Sequence, residues 1–153
     1  NQEMKSRAHA IFGSIAMLCI FSFWTSTLFT ELFLSQAAIV SVKGIILQAM
    51  WILIPAMVAT GGSGFALAKG RSGRLVESKK KRMPFIALNG VLVLLPSAVY
   101  LHSKAQAGAF DTSFYAIQVV ELVAGAINLW LLSNNMYDGL KLAGRLRPKK
   151  ATP

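Results

Sequence analysis

Between Gly44 and Ala68 the chain carries no Asp, Glu, Lys or Arg across 25 residues. A soluble amphipathic helix needs a polar face, and this stretch has none. A helix of about 20 apolar residues crosses a bilayer core about 30 Å thick. The segment therefore reads as a membrane span, and it is not alone. Ala8 to Leu34 contains one acid, Glu31; Pro84 to Leu101 contains no charge; Phe114 to Tyr137 contains one acid, Glu121. None of these runs shows the period-two alternation of a membrane β-barrel strand.

The expected fold is all-α: an integral membrane bundle of four transmembrane helices, up-down, in a single domain over residues 1–153. The helices are expected over about 8–34, 44–68, 84–102 and 114–137, with a basic loop over 69–83 and a basic tail over 138–153. Hydrophobic residues make up 54% of the chain and charged residues 14%. A typical soluble domain carries about 25% charged residues, so a disordered chain is excluded and a soluble enzyme disfavoured. The first run is too long for a signal-peptide core. Met4 followed by Lys5 and Arg7 reads as a native start, with Asn1–Glu3 as an added remnant.

The net charge of +10 suggests nucleic acid until its placement is considered. Of the 16 basic residues, 14 fall before the first run, between the second and third, or after the fourth. Only Lys43 and Lys104 fall in the other two connections. The positive-inside rule then places both termini and the middle loop in the cytoplasm. The basic segments serve topology and contact with anionic lipid headgroups at the cytoplasmic face, and nucleic acid is not an expected partner. In helix count, size and basic middle loop the chain resembles several small groups of bacterial inner-membrane proteins. The resemblance implies a multi-pass inner-membrane location.

Polar residues inside a membrane helix are costly and need a reason. On the fourth run, Gln118, Glu121, Gly125, Asn128, Leu132 and Asn135 recur in steps of three and four. That stripe is expected to face the bundle interior. At the outer end each span offers a polar group: Glu31, Gln48, His102, and Gln118 with Glu121. Together with Asn128 these are the candidate ligand-binding residues. Carboxylates and imidazole suit a proton or a divalent metal, and Glu31, His102 and Glu121 are the candidate metal ligands.

A second candidate site lies at the inner end. His9, Gly61, Gly62, Gly64 and Asn89 suit a haem b or a quinone, with glycines making room and His9 as an axial ligand. Two histidines at opposite ends argue against bis-histidine ligation within one subunit, so a Met partner such as Met83 or Met136, or a second subunit, would have to complete a haem site at His9. One cysteine, Cys19, excludes a thiol relay, and no zincin or phosphate-loop pattern occurs.

The expected function is the binding or translocation of a proton, metal ion or small polar ligand through the outer Glu/Gln/His cluster. The alternatives are a haem- or quinone-binding redox module and a structural accessory subunit. Polar faces also suit a homo-oligomer or a larger membrane complex, and enzymatic activity is left open.

Overall fold

A computed structural model describes residues 2–69 and 73–142. Asn1, Arg71 and the tail cations Arg145, Arg147, Lys149 and Lys150 lie outside the described residues. The described chain is helical: α1 (Gln2–Phe33), α2 (Gln36–Ala68), α3 (Arg74–Asn89), α4 (Leu95–Gln106) and α5 (Thr112–Leu142). A π-helical turn over Gly90–Leu94 joins α3 to α4 without a break. Four stretches are thus long and apolar enough to cross a membrane: Glu3–Phe33, Gln36–Ala68, Arg74–Gln106 and Thr112–Lys141. Helices suit that environment because each satisfies its own backbone groups where no water can.

The helices are longer than the apolar runs that announce them, and this matters most at the first turn. Only Leu34 and Ser35 separate α1 from α2. Ser35 caps α2, its hydroxyl oxygen accepting from the Ala38 amide at 3.3 Å. A serine cap can start a helix well before its hydrophobic stretch. Lys43, expected in a connecting loop, therefore lies two turns inside α2. The basic loop is shortened in the same way, since α3 begins at Arg74 and carries Lys79, Lys80, Lys81 and Arg82 on helix.

Contacts fix an up-down order. Gly13 of α1 meets Thr60 of α2, Gly44 of α2 meets His102 of α4, and Gly125 of α5 meets Trp24 of α1. Asn89 of α3 meets Asn128 of α5. The spans form a ring in which each touches two neighbours. Among the described residues, α1 and α3 have no close backbone approach. The core has two parts. Ala16, Ile20, Leu53, Ala56, Ile86 and Leu132 form the larger one. Ile39, Leu101, Ala105 and Phe114 form one nearer the short turns. Large apolar side chains cover the outside, with Trp51 84% exposed and Trp130 67%. Such a belt belongs against lipid tails rather than water.

The π turn has a local cause. Pro96 cannot donate a backbone hydrogen bond, and its ring crowds the carbonyl four residues earlier. One residue before it, the Leu95 amide donates to Gly90 O, five residues back. The widened turn absorbs the proline without ending the helix. Asn128, 2% exposed, braces this region from α5. Its Oδ1 accepts from Asn89 Nδ2 at 2.8 Å, and its own amide donates to Ile86 O at 3.4 Å. Asn128→Ala is expected to cost about 1 kcal/mol, as interhelical side-chain bonds in membranes do. Reversible unfolding of the two proteins in mixed micelles measures the difference, and an unchanged midpoint contradicts the bracing role.

Candidate functional site

Four side chains from three helices meet near the short-turn end. Lys43 of α2 is 5% exposed and its ammonium lies 3.5 Å from Glu31 Oε1 of α1. The same ammonium donates to Gln118 Oε1 of α5. Gln118 turns its amide nitrogen the other way and donates to Glu121 Oε1 at 3.1 Å. Phe114, fully buried, presents its ring 5.6 Å from the Lys43 nitrogen. The order along the cluster is Glu31, Lys43, Gln118, Glu121.

Helix geometry explains the meeting. Lys43 lies about 10 Å along α2 from Gln36, at 1.5 Å per residue. Its long stem carries the ammonium back toward Glu31, which lies in the last turns of α1. Gln118 and Glu121 are three apart on α5 and share a face. The stripe on α5 is turned inward as its spacing requires: Gln118, Gly125, Asn128, Leu132 and Asn135 are buried and Glu121 is half-buried.

The cluster is unevenly satisfied. Both carboxylate oxygens of Glu31 are buried and accept no hydrogen bond. One ammonium stands against two carboxylates. Beside Glu121 a cavity of about 60 Å³ extends to Trp24, Thr27 and Gly125. A water needs roughly 10–15 Å³ of such space, so the cavity admits a few waters and no larger ligand.

The other candidates go elsewhere. Gln48 lies on the exposed face of α2. His102 packs against Gly44, where an added Cβ would come 3.4 Å from its Nε2. Asn128 belongs to the Asn89 pair in mid-bundle, not to the outer cluster. Among the described residues no group of three or more His, Cys, Asp or Glu side chains is placed to hold a metal. Glu31, His102 and Glu121, the expected metal ligands, are therefore not brought together as a set, because Lys43 takes the place between the carboxylates. Lys43 is the participant that hydropathy alone misses. The signal for it is Ser35, a helix start eight residues ahead.

At the same end, Asp111 caps α5, its Oδ1 accepting from the Phe114 amide at 3.0 Å. Its Oδ2 accepts from Lys104 at 2.7 Å. The Lys104 hydrogen bond, with those from Phe114 and Ser113, holds the Asp111 carboxyl well below the usual carboxylate range. Asp111 is thus a fixed anion that locks the α4–α5 turn.

The opposite end holds a larger space. A cavity of about 540 Å³ opens among α1, α2, α3 and α5, with His9, Gly61 and Gly64 on its wall. His9 Nδ1 lies 3.1 Å from Thr60 O and 3.0 Å from Ser63 Oγ. A carbonyl only accepts, so the contact with Thr60 O suits the tautomer with its proton on Nδ1. Gly64 lets this ring lie close, since an added Cβ would come 3.1 Å from His9 Cε1. Gly62 has nothing within 4 Å, and Asn89 is engaged with Ala124 O and Asn128. Those two residues therefore stand apart from this cavity. Nearby, Arg82 pairs with Asp138 and donates to Asn135 Oδ1 at 3.3 Å. His9 is the one histidine on the cavity wall, and His102 lies at the other end of the bundle, so bis-histidine haem ligation does not fit within this chain.

Compared with family models, curated proteins and solved structures, the chain matches none.

Proposed function

We propose that the chain is a multi-pass membrane protein, of the bacterial inner-membrane kind, that binds and releases a proton at the Glu31–Lys43–Gln118–Glu121 cluster. Both termini and the α2–α3 connection face the cytoplasm by the distribution of basic residues. The cluster then lies in the outer half of the bilayer.

The observation that carries this reading is the charge imbalance around Lys43. With all three groups ionised, the cluster holds a buried net charge of −1. Burying unbalanced charge in a low-dielectric interior is expensive. One proton shared by the two carboxyls makes the cluster neutral. Gln118 links the ammonium to Glu121 by its two ends, so a change at one carboxyl is felt by the other. The adjoining cavity has room for the waters that would carry the proton. Its size argues against a larger polar ligand, and Lys43 argues against a divalent cation, which would have to displace an ammonium already in place.

Infrared difference spectroscopy against pH tests this directly, because a protonated carboxyl has a distinct C=O band. Wild type is expected to show one such band from a buried site. It should be lost in Glu31→Gln and in Glu121→Gln alike, with the protein still folded, because Lys43 and the one remaining carboxylate already balance. If no buried carboxyl gains a proton anywhere in the folded pH range, the cluster is an ion pair only and the reading is wrong.

A further inference from the structure

The large cavity at the basic end takes no part in that proton site, yet it has a definite chemical character. We infer that it binds one anionic membrane lipid, the headgroup at Arg7, Lys79 and Lys80 and an acyl chain in the space between α1 and α3. The inference rests on the chain's spanning a membrane and on nothing in the proton reading.

The space is large enough for a ligand. A volume of about 540 Å³ falls within the roughly 300–1,000 Å³ usual for small-molecule sites. It lies where α1 and α3 do not approach each other, and Gly13 of α1 and Gly61 of α2 line it without side chains. Protein interiors are close-packed, so a largely apolar space of this size is room for a ligand.

The lining selects what fills it. Met17, Phe65, Met83, Leu132 and Met136 supply apolar walls. Flexible thioethers adapt to an irregular chain. Arg7, His9, Lys79 and Lys80 also line the cavity, and no Asp or Glu does. The acids nearest in sequence reach the cations from outside the cavity: Glu3 lies 2.9 Å from Arg7, and Glu77 lies 3.8 Å from Lys80. Both pairs are solvent-exposed, where such bridges are weak and a phosphate can compete. Three cations over an apolar slot select an anionic amphiphile over a zwitterionic lipid or a neutral quinone.

Native mass spectrometry from detergent micelles provides the test. The probes are phosphatidylglycerol, phosphatidylcholine with the same acyl chains, and ubiquinone. One equivalent of phosphatidylglycerol should persist under activation that strips the other two. Removing cavity charges with Arg7→Gln, Lys79→Gln and Lys80→Gln should weaken retention roughly fivefold per charge. Removing the same charge away from the cavity, with Lys5→Gln, Lys69→Gln and Lys81→Gln, should leave it unchanged. Gly61→Leu keeps every charge and fills the wall opposite Met83, so it should abolish the persistent equivalent. If that variant does not fold, the two charge triples decide the matter. Equal retention of phosphatidylcholine or ubiquinone overturns the proposal. So does equal loss in both triples, which would mean diffuse attraction to a basic surface.

Discussion

Lys43→Met should be the most destabilising single substitution on the bundle's polar face. Methionine keeps most of the stem and its packing on Phe114, so the change is nearly a deletion of charge. Glu31 loses its ion-pair partner, and its two buried oxygens already accept no hydrogen bond. Gln118 loses the donor to its carbonyl oxygen. Removing one member of a buried pair costs about 3–5 kcal/mol, mostly because the other charge is left behind. An exposed pair such as Arg7–Glu3 is worth about 0–1 kcal/mol by comparison.

The same logic says how the loss is repaired. Adding Glu31→Gln and Glu121→Gln to Lys43→Met removes every stranded charge and should recover most of the stability. Neutralising only one carboxyl should recover part. Unfolding midpoints of the four proteins in one detergent give the comparison. A loss under about 1 kcal/mol for Lys43→Met alone would mean that water reaches the cluster freely. The proton reading would then lose its physical basis, since a solvated cluster has no need to stay neutral.

How much of this can be read from the chain depends on the kind of signal. The spans are legible because Gly44 to Ala68 leaves no alternative to burial in lipid. The inward stripe of α5 is legible because Gln118, Asn128 and Asn135 recur at helical spacing, and a polar group in hydrocarbon must find a partner. The partners are not legible. Asn128 of α5 pairs with Asn89 of α3, and the spacing along either helix alone does not say which residue of the other it meets. Lys43 reads as a loop residue because hydropathy marks where a helix becomes apolar, not where it starts. Gln48 illustrates the converse, since a polar residue near the right depth can still lie on the outer face. Cavities are the least legible feature. Gly61 and Gly64 look alike in sequence, yet an added Cβ would only touch Met83 at 3.9 Å at the one and would crowd His9 at 3.1 Å at the other.

Gly125 offers the sharpest check on the packing, because the same kind of substitution should have opposite signs at two glycines. At Gly125 an added Cβ would come 3.0 Å from Trp24 Cδ1. The indole cannot easily move away, because its Nε1 donates to Leu122 O at 2.8 Å on the same helix, α5. Glycine to alanine gains up to about 1 kcal/mol in helix propensity. Overpacking a fitted contact costs about 1–3 kcal/mol, so the loss wins. Gly125→Leu should sit at or beyond the upper end of that range and separate α1 from α5. At Gly62 nothing lies within 4 Å, so Gly62→Ala should keep the propensity gain and stabilise by roughly 0.5–1 kcal/mol. Trp24→Leu makes room at the crowded site, so it should cost less in a Gly125→Leu background than in the wild type. Unfolding free energies for that double-mutant cycle isolate the contact. If Gly125→Leu is tolerated as well as Gly62→Ala, then α1 does not lie against α5 at Trp24. The small cavity beside Glu121, which Trp24 helps to wall, would go with it.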